Sequence, residues 1–422
     1  MNRFDEACDW LVQRLPMFQR QGGTPATYRL DLSKTVAWLD RLGNPQLAYP
    51  CIHVAGTNGK GSTCHMLASI FHETGKVVGL HTSPHMLDLR ERFRVGGRLV
   101  PERWVADFVD AHRTDIIELD LSFFEATVGM AFAAFRDARV DIAIVEVGMG
   151  GRLDSTNVVT PLVSVVTSIG LDHMAFLGPD RASIAREKAG IFKPKVMAVV
   201  GESDPEIWPV FQEVAAALDR CYVYPIGPHD QVFPTDLQGD YQVHNARTAI
   251  MAARIAKPSI HDSQIRRGLL RVVANTGLRG RWDILEEGNP LVVADSAHNA
   301  HGWVPVMKQW NRVRAGLRSA MVLGVVSDKD TDEMLANIPQ ACTVYACAPA
   351  IPRALPVAEW ATRLRDAGRK VVECGSVADA INRAKADGFR AIYVGGSSFV
   401  VADALAAYRD GLVSKRRSAS RD

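Results

Sequence analysis

The sequence predicts an α/β protein with a doubly wound parallel sheet in a larger N-terminal domain and a smaller, Rossmann-like α/β domain after it. Three observations support this prediction. Short apolar runs rich in Val and Ile alternate with helical segments along most of the chain, which is the pattern of a parallel sheet covered by helices on both faces. A glycine-rich loop at residues 56–61 follows the first apolar run. A Thr-Gly-Leu-Arg-Gly break at residues 276–280 interrupts the alternation, which then starts again.

The composition is that of a folded protein with more than one domain. The chain has 422 residues, of which 47% are hydrophobic and 23% are charged, so it can form two or three sizeable cores. Its formal net charge of +2 gives no indication of a nucleic-acid or membrane-surface partner. The basic patch Lys415–Arg417 is interpreted as a solvated tail.

Cysteine spacing and the N-terminal segment indicate the cellular compartment in which the protein is expected. Seven cysteines are scattered without a paired CxxC spacing, which predicts reduced thiols and neither a disulfide framework nor a zinc site. The segment Met1–Trp10 is charged and lacks the apolar core of a signal peptide. No stretch approaches the roughly 18 apolar residues that a membrane span needs. We therefore expect a cytoplasmic protein.

The first fifty residues lead to the glycine-rich loop. Helices are predicted at Phe4–Leu15 and at Leu32–Leu42, where Gly43 ends the second one. A polar loop containing glycine, Gln19–Thr27, lies between them. The apolar run Tyr49–Val54, with two β-branched residues, predicts the first strand.

The rest of the N-terminal domain continues the alternation. Four more apolar runs predict strands at Lys76–His81, Val140–Val147, Leu162–Thr167 and Val196–Val200. Helices are predicted at Thr63–Thr74, from Pro101 onward, from Leu121–Thr127 onward, at Ser183–Ala189 and at His244–Ala256. Charged and apolar residues alternate over Arg90–Val95, which predicts a strand that Gly96-Gly97 turns. The segment from Pro205 to Gly239 is weaker and partly irregular.

The domain boundary is placed so that residues 1–276 form the first domain and residues 277–422 the second. Strands in the second are predicted at Leu291–Ala294, Ala320–Val325, Thr343–Ala346, Lys370–Glu373 and Ala391–Val394. Helical segments between them are predicted at His301–Val313, Val357–Ala367 and Ala378–Ala386. This domain has no phosphate-binding glycine fingerprint, so we expect it to complete a site made by the first domain.

The glycine-rich loop carries the strongest chemical signal. Gly56, Gly59 and Gly61 let successive backbone N–H groups face inward, and the helix that follows adds the positive end of its dipole. Such a loop binds phosphate, with Lys60 against the terminal phosphates and the Ser62 hydroxyl facing a Mg²⁺ ion. The spacing departs from the usual P-loop. The alternative is an ordinary strand-to-helix turn, which rarely needs three glycines and a lysine together.

Polar residues at other strand ends are candidate metal ligands. Glu146 ends an apolar strand next to a flexible glycine run, where a cation would compensate its charge; the alternative is an ion pair with Arg152. Ser83 and His173 occupy equivalent positions after two other strands, although a single histidine is more often structural than ligating. Lys188 lies at the end of a predicted helix. The simpler interpretation is that its positive charge interacts favourably with the helix dipole and has no role in a site.

Three more candidates come from the later part of the chain. The segment Asp295-Ser-Ala-His-Asn299 stands at a strand end in the second domain, where ligands bind in α/β folds. Arg281, at the boundary, could reach a phosphate. Asn245 could hydrogen-bond an adenine edge, although asparagine on a helix is usually just an exposed polar residue.

These motifs together resemble the Mur ligase superfamily, and within it the folylpolyglutamate synthases and bifunctional dihydrofolate synthases. The matching stretches keep their order over about residues 20 to 300: HVAGTNGKGS at 53–62, TSPH at 82–85, ERFRV at 91–95, SFFEAT at 122–127, EVGMGGRLDSTN at 146–157, TSIGLDH at 167–173, REKAGIF at 186–192, GRWDIL at 280–285 and DSAHN at 295–299. The murein ligases fit less well, because they carry a UDP-sugar-binding domain ahead of the loop. Fifty residues cannot hold such a domain.

The resemblance implies a role for each matching residue. Ser83, Glu146 and His173 match magnesium ligands, and Lys188 matches a carbamylated lysine that helps to hold the metal, in a site that takes two ions. Nucleotide contacts are implied for Asn58, Gly59, Lys60, Gly61, Ser62, Asn245, Arg281 and Asp295. His298 matches a histidine on the glutamate side, and Ser122, Phe123, Phe124 and Glu125 match the pterin-pocket segment. Lys60, Lys188 and His298 are the implied catalytic residues. The implied fold is a P-loop-containing Mur-ligase-type central domain followed by the smaller domain.

The resemblance also implies the reaction. An ATP-dependent ligase would join L-glutamate to dihydropteroate, and to the glutamate tail of reduced folates, through an acyl phosphate, with ATP and Mg²⁺ bound. A monomer is expected from the resemblance alone. Three alternatives stay open: folylpolyglutamate synthase activity only, a P-loop nucleotide switch without ligase activity, and a ligase of the same architecture that acts on another acid. Expected partners are small-molecule substrates, without nucleic acid or membrane.

Overall fold

A strand-helix alternation runs through the computed structural model, which describes residues 2–17, 31–327 and 331–413. The chain divides into two units, one made of Met1–Leu237 with Gln242–Leu278, the other of Gln238–Tyr241 with Arg279–Asp422. The predicted loop Gln19–Thr27 and the basic patch Lys415–Arg417 lie outside the described residues. The domain boundary predicted after residue 276 lies two residues before the division between the units at Leu278. The functions assigned to the two domains remain predictions.

The first unit is organised around an eight-stranded sheet in the order β4-β3-β2-β5-β1-β6-β7-β8. Its strands are β1 Cys51–Ala55, β2 Val78–His81, β3 Phe93–Val95, β4 Arg98–Leu99, β5 Ile142–Glu146, β6 Val163–Val166, β7 Met197–Val200 and β8 Val223–Pro225. Neighbouring strands run parallel except at β3 and β4, which pair antiparallel. Strands β1 and β5 are buried along their whole length, in agreement with their continuous apolar sequence.

Helices cover both faces of this sheet. They are α1 Arg3–Arg14, α2 Ser33–Arg41, α3 Lys60–His72, α4 Glu102–Glu118, α5 Phe123–Asp137, α6 Met174–Leu177, α7 Arg181–Ala189, α8 Trp208–Ala216, α9 Gln242–Ala256, α10 Asp262–Leu269 and α11 Val272–Thr276. One core contains Trp38, Phe132 and Phe135 with Val145 of β5. A second core contains Ile70 of α3 and Ile250 of α9. Because alternate residues of a strand point to opposite faces, the central strands contribute to both cores.

The second unit has a six-stranded sheet in the order β13-β12-β11-β14-β10-β9. Its strands are β9 Asp283–Glu286, β10 Leu291–Asp295, β11 Ser319–Leu323, β12 Thr343–Ala346, β13 Lys370–Glu373 and β14 Ala391–Gly395. All neighbours are parallel except β9, which pairs antiparallel with β10. The helices are α12 Ala300–Val313, α13 Asp332–Asn337, α14 Val357–Asp366, α15 Val377–Ala386 and α16 Ser398–Arg409.

The predicted α/β class is confirmed, while one local prediction needs correction and one strand was missed. The strand predicted at Arg90–Val95 begins only at Phe93, because Leu89–Arg92 forms a 3₁₀ turn capped by Asp88. The segment 205–239, expected to be weaker and partly irregular, contains α8 and β8 among turns and irregular stretches. Strand β9 was not predicted as a strand. Among the described residues, no helix has both the length and the apolar character that crossing a membrane requires.

Candidate functional site

The glycines of the loop between β1 and α3 are required by close backbone approach. Gly56 has φ 148° and Gly59 has φ 82°, conformations that disfavour any residue with a Cβ. A Cβ on Gly56 would lie 1.9 Å from Oγ1 of Thr167, and a Cβ on Gly59 would lie 2.2 Å from Oδ1 of Asn245. The loop is therefore pressed between the end of β6 and helix α9, and it is more than an ordinary turn.

Hydrogen bonds from the end of β6 hold the loop in shape. The N–H of Thr57 donates to the carbonyl of Ser168 at 2.7 Å. The N–H of Asn58 donates to Oγ of Ser168 at 3.2 Å, and its carbonyl accepts from the hydroxyls of Ser168 and Thr167 at 3.1 and 2.5 Å. These contacts fix the backbone of the residues just before Gly59 and Lys60. A fixed backbone is what an anion-binding loop needs, because its N–H groups must already point at the ligand.

Two lysine ammonium groups meet at one carbonyl oxygen of this loop. Nζ of Lys60 donates to the carbonyls of Gly56 and Thr57 at 2.9 and 3.2 Å. Nζ of Lys188 donates to the same Gly56 oxygen at 3.0 Å. Lys188 lies in the last turn of α7, as a helix-end cation would, but its side chain is buried at 4% exposure. Burial, followed by the nearby charge of Lys60, lowers the pKa of Lys188 to about 7.

Ser62 and Asn245 are joined through a glutamine that sequence reasoning missed. Nε2 of Gln242 donates to Oγ of Ser62 at 3.2 Å, and Oε1 of Gln242 accepts from Nδ2 of Asn245 at 2.8 Å. Gln242 has no exposed surface and begins helix α9. Asn245 is buried rather than exposed, so its simple surface interpretation is wrong. A polar residue three positions before Asn245 on the same helix was the only signal in the sequence.

The steric role of Gly59 leads to a first prediction. Gly59→Ala should displace the Asn245 side chain and reduce ADP affinity about tenfold or more, since the added methyl group has no room beside Oδ1 of Asn245. Gly75→Ala is the matched control, because Gly75 has φ 81° and nothing lies within 4 Å of its Cβ position. It should cost about 1 kcal/mol of stability from the backbone alone and leave ADP affinity unchanged. Calorimetric titration with ADP and thermal unfolding compare the two variants, and equal ADP affinities would contradict this role of Gly59.

Two of the predicted metal ligands lie together beside the sheet. Glu146 ends β5 with 3% of its surface exposed, and its Oε2 accepts from the N–H of Ser83 at 3.1 Å. Its proposed alternative partner, Arg152, forms an ion pair with Glu187 at 2.8 Å. A buried carboxylate next to a hydroxyl-bearing residue is an oxygen donor set of the kind that Mg²⁺ prefers, so these residues fit the expected ion.

His173 follows β6 in a separate loop. Its φ of 52° places it in the left-handed region directly before α6, and its N–H donates to Oδ1 of Asp172 at 2.9 Å. The side chain is one-third exposed, which leaves it accessible. No group of three or more His, Cys, Asp or Glu side chains arranged to hold a metal occurs within 2–17, 31–327 and 331–413. The predicted set contains only two such side chains and a serine, and its role as a metal site stays a prediction.

The predicted pterin-pocket segment forms the start of helix α5. The hydroxyl of Ser122 accepts from the N–H of Glu125 at 3.2 Å, and the Glu125 carboxylate accepts from the N–H of Ser122 at 2.7 Å. This pair is a capping box, which gives both residues a structural role. Phe123 is buried, and the Arg92 guanidinium lies 5.1 Å from its ring centre. Phe124 is only partly buried, packs against the core of this unit and lies 6.2 Å from the His81 ring between centroids.

The second unit holds the remaining predicted residues. Asp295 ends β10 and is buried, and its Oδ2 accepts from the hydroxyl of Tyr241 at 2.6 Å and from the N–H of Trp282 at 2.7 Å. Burial raises the pKa of Asp295, an effect opposed by these hydrogen bonds and by the charge of Arg281. His298 donates from Nδ1 to the carbonyl of Ser296 at 2.9 Å, which orients its ring. The contact between Tyr241 and Asp295 was not predicted.

Comparison with known proteins places these features in a family. Residues 54–245 match the Mur ligase middle domain, and residues 280–397 match the glutamate ligase domain of the Mur ligases. A dihydrofolate synthase/folylpolyglutamate synthase of Escherichia coli K12 is 39% identical over 76% of this chain and 78% of its own length. A folylpolyglutamate synthase of Lacticaseibacillus casei is 32% identical over 81% of this chain and 88% of its own length. The predicted Mur-ligase-type architecture is confirmed.

Solved structures of similar proteins extend the comparison to nearly the whole chain. Escherichia coli FolC in complex with DHPP and ADP matches with a TM-score of 0.82 and 31% identity, over 96% of this chain and 98% of that one. A bifunctional enzyme of Yersinia pestis complexed with AMPPNP and Mn ion matches with a TM-score of 0.80 and 30% identity, over the same shares of the two chains. This chain therefore belongs to the dihydrofolate synthase/folylpolyglutamate synthase family, a branch of the ATP-dependent Mur ligases.

Proposed function

We propose that this protein joins L-glutamate to dihydropteroate, and to the glutamate tail of reduced folates, at the expense of ATP. The observation that carries the proposal is the convergence of Lys60 and Lys188 on the Gly56 carbonyl, in a loop that Ser168 and Asn245 hold from two sides. Such a cationic, rigid loop suits a polyphosphate. Together with the family membership, it favours phosphoryl transfer to a carboxylate.

Phosphoryl transfer explains why a ligase needs this loop. A carboxylate is a poor electrophile, so an amine does not displace its oxygen in water. Attack of a carboxylate oxygen on the γ-phosphorus of ATP breaks the bond to the β-phosphate oxygen and yields an acyl phosphate and ADP. The glutamate amine then attacks the acyl carbon, loses a proton, and expels inorganic phosphate. The product is an amide, and each turnover consumes one ATP.

The loop residues stabilise the charge that moves during this transfer. Lys60 would turn from the Gly56 and Thr57 carbonyls to the γ-phosphate oxygens, a short movement for a flexible side chain. Backbone N–H groups of Gly59 and Gly61 would hold the other phosphates, while the Asn58 N–H is used by Ser168 to fix the loop. Gln242 occupies one lone pair of the Ser62 hydroxyl, which leaves the other lone pair and the proton for a ligand.

Magnesium is the second requirement of this chemistry. Ser83, Glu146 and His173 would hold it, in keeping with their positions after β2, β5 and β6. When bound, Mg²⁺ neutralises phosphate charge and so favours attack by an anionic carboxylate. The Ser83 N–H keeps one Glu146 oxygen in place, which orients the carboxylate before any ion arrives.

The other site residues are assigned by their place in the family motifs and by their surroundings here. Asn245 and Arg281 would contact the nucleotide. Asp295, at the end of β10, would also contribute to nucleotide binding. His298 would face the amino-acid substrate, with its ring oriented by the hydrogen bond to the Ser296 carbonyl. The heterocycle would lie at the segment Ser122–Glu125, where Phe124 offers the partly exposed ring.

Lys188 has a further proposed role as a carbamate. The lysine ammonium first loses a proton, and the neutral amine then adds to CO₂ and releases a second proton, so that a cation becomes an anionic carbamate. The pKa of about 7, caused mainly by burial, makes the neutral amine available near neutral pH. The resulting anion would remove the repulsion between Lys188 and Lys60 and would attract a divalent ion.

One assay tests the proposed function against its alternatives. The protein is incubated with ATP, Mg²⁺ and L-glutamate, together with dihydropteroate, tetrahydrofolate or neither, and the products are analysed by mass spectrometry. We expect glutamylated products with both acids and ADP release that depends on the acid. Product from tetrahydrofolate alone would restrict the enzyme to folylpolyglutamate synthesis. ADP release without any acid, and without a glutamylated product, would support a nucleotide switch and contradict the proposal.

A further inference from the structure

Thr57 makes an unusual pair of hydrogen bonds to a single residue. Its hydroxyl donates to the carbonyl of Gly170 at 3.1 Å, and the same oxygen accepts from the N–H of Gly170 at 3.0 Å. One side chain therefore satisfies both backbone groups of Gly170, in the way that a paired strand would. The family motifs assign no role to Thr57, and the proposed mechanism does not use its hydroxyl.

The position of Gly170 makes this contact informative. Gly170 lies three residues before His173, in the loop that leaves the end of β6. At the other end of that short segment, the His173 backbone is held in the left-handed region with φ 52°. This conformation is uncommon for a residue other than glycine, so contacts that fix the adjoining backbone help to maintain it. Thr57 thus holds the segment that presents His173.

Three side chains fix successive parts of the segment that follows β6. Ser168 bonds to the backbone of Asn58, and Glu202 accepts from the N–H of Ile169 at 2.6 Å. Those contacts fix the part of the loop nearest to β6. Closer to His173, the Thr57 hydroxyl of the phosphate loop bonds to the backbone of Gly170. The phosphate loop and the loop with His173 are therefore joined at this point.

We propose that Thr57 is a positioning residue that couples the phosphate loop to His173. Its hydroxyl sets the backbone at Gly170 and through it the place of the imidazole. The inference rests on the proposed role of His173 as a ligand of the divalent ion. A residue that orients a metal ligand in this way contributes to metal affinity without touching the metal.

The test measures metal binding directly. Thr57→Val keeps the shape of the side chain and removes both hydrogen bonds to Gly170, while Thr57→Ser keeps the hydroxyl. Binding of Mn²⁺ to the full chain saturated with AMPPNP is followed by the electron paramagnetic resonance signal of free Mn²⁺. We expect Thr57→Val to raise the Mn²⁺ dissociation constant about tenfold. Thr57→Ser should stay within about twofold of the wild type, and the dissociation constant of AMPPNP measured without metal should change little.

A control variant and a double-mutant cycle complete the experiment. Thr74→Val removes a comparable hydroxyl contact, from Oγ1 to the Phe71 carbonyl at 2.7 Å just beyond the far end of α3, and should leave Mn²⁺ affinity unchanged. In a His173→Ala background, Thr57→Val should have no further effect on Mn²⁺. Additive effects, or an unchanged Mn²⁺ affinity in Thr57→Val, would overturn the inference. If His173→Ala itself binds Mn²⁺ like the wild type, the proposed metal role of His173 has failed instead, and the coupling inference falls with it.

Discussion

Lys60→Ala is expected to lower kcat by about a thousandfold while the fold is retained, because it removes the cation that we propose to stabilise the transferred phosphate. In the free protein, the ammonium group of Lys60 bonds to the carbonyls of Gly56 and Thr57, contacts that lie within the loop itself. After its loss, the Gly56 carbonyl still accepts from Nζ of Lys188 at 3.0 Å, and Thr57 is only half-buried, so the loop should keep its shape. The measurement is steady-state ADP release with dihydropteroate and glutamate, and circular dichroism verifies the fold.

Lys76→Ala is the control for the removal of a lysine charge. Lys76 follows helix α3 and lies 3.9 Å from Asp141, in a partly exposed pair that contributes little. Its removal should leave kcat within about twofold of the wild type. Turnover by Lys60→Ala at the rate of the Lys76→Ala control would remove the loop lysine from the mechanism. Lys60→Ala should also raise the pKa of Lys188, since the charge of Lys60 is one cause of its lowered value.

The sequence predicted the fold because its strongest signals are local. Continuous apolar runs such as β5 and β6 predict buried parallel strands. The glycines at 56 and 59 mark a loop in which a side chain at either position would clash with its neighbours. Candidate residues such as Glu146 were predicted from their place at strand ends. That prediction rests on the rule that the carboxyl ends of parallel strands share one edge of the sheet.

Contacts between distant parts of the chain could not be predicted in the same way. The bond from Lys188 to Gly56 joins residues 132 positions apart, and that from Gln242 to Ser62 spans 180. Such contacts depend on how helices α7 and α9 are rotated about their axes when they pack, which local periodicity does not specify. For the same reason, burial of Lys188 was missed, although it determines the chemistry of that amine.

The capping box at Ser122 and Glu125, in contrast, is a contact that a local sequence signal does indicate. The spacing S-x-x-E before an apolar run is a local signal for the start of a helix, and the structure has that cap. Both residues also lie in the segment that resembles the pterin pocket. A capping role and a binding role are compatible, because a cap fixes the helix end that presents Phe124.

Lys188→Met is expected to lower kcat by about a hundredfold and to abolish the carbamate signal that we expect from the wild type. The protein is equilibrated with ¹³C-bicarbonate, and the carbamate carbon is followed by ¹³C NMR as pH is raised. Lys188 has a pKa of about 7 instead of the ordinary 10.5, so its amine becomes neutral as pH rises through about 7. The signal should therefore grow between about pH 6 and 8. An ordinary lysine would stay protonated over that interval.

The same lowered pKa predicts how the stability of Lys188→Met compares with that of the wild type. In the absence of CO₂ and metal, folded wild type binds fewer protons at Lys188 than unfolded chain between about pH 7 and 10.5, so its stability rises with pH across that interval. Below about pH 7 both states are protonated and the cost of burying the charge is fully present. Lys188→Met lacks this cost, so its advantage in urea unfolding should be largest near pH 7 and shrink toward pH 10.

Lys193→Met provides the matched control for the carbamate signal. Burial also lowers the pKa of Lys193, whose Nζ donates to the Asn157 carbonyl at 3.2 Å, but no second ammonium group is among the causes of its shift. The carbamate signal and kcat should persist in Lys193→Met. A signal that survives in Lys188→Met and disappears in Lys193→Met would place the carbamate on Lys193 and contradict the proposal for Lys188. Absence of any signal in wild type, with kcat still lost in Lys188→Met, would leave Lys188 acting as a free amine.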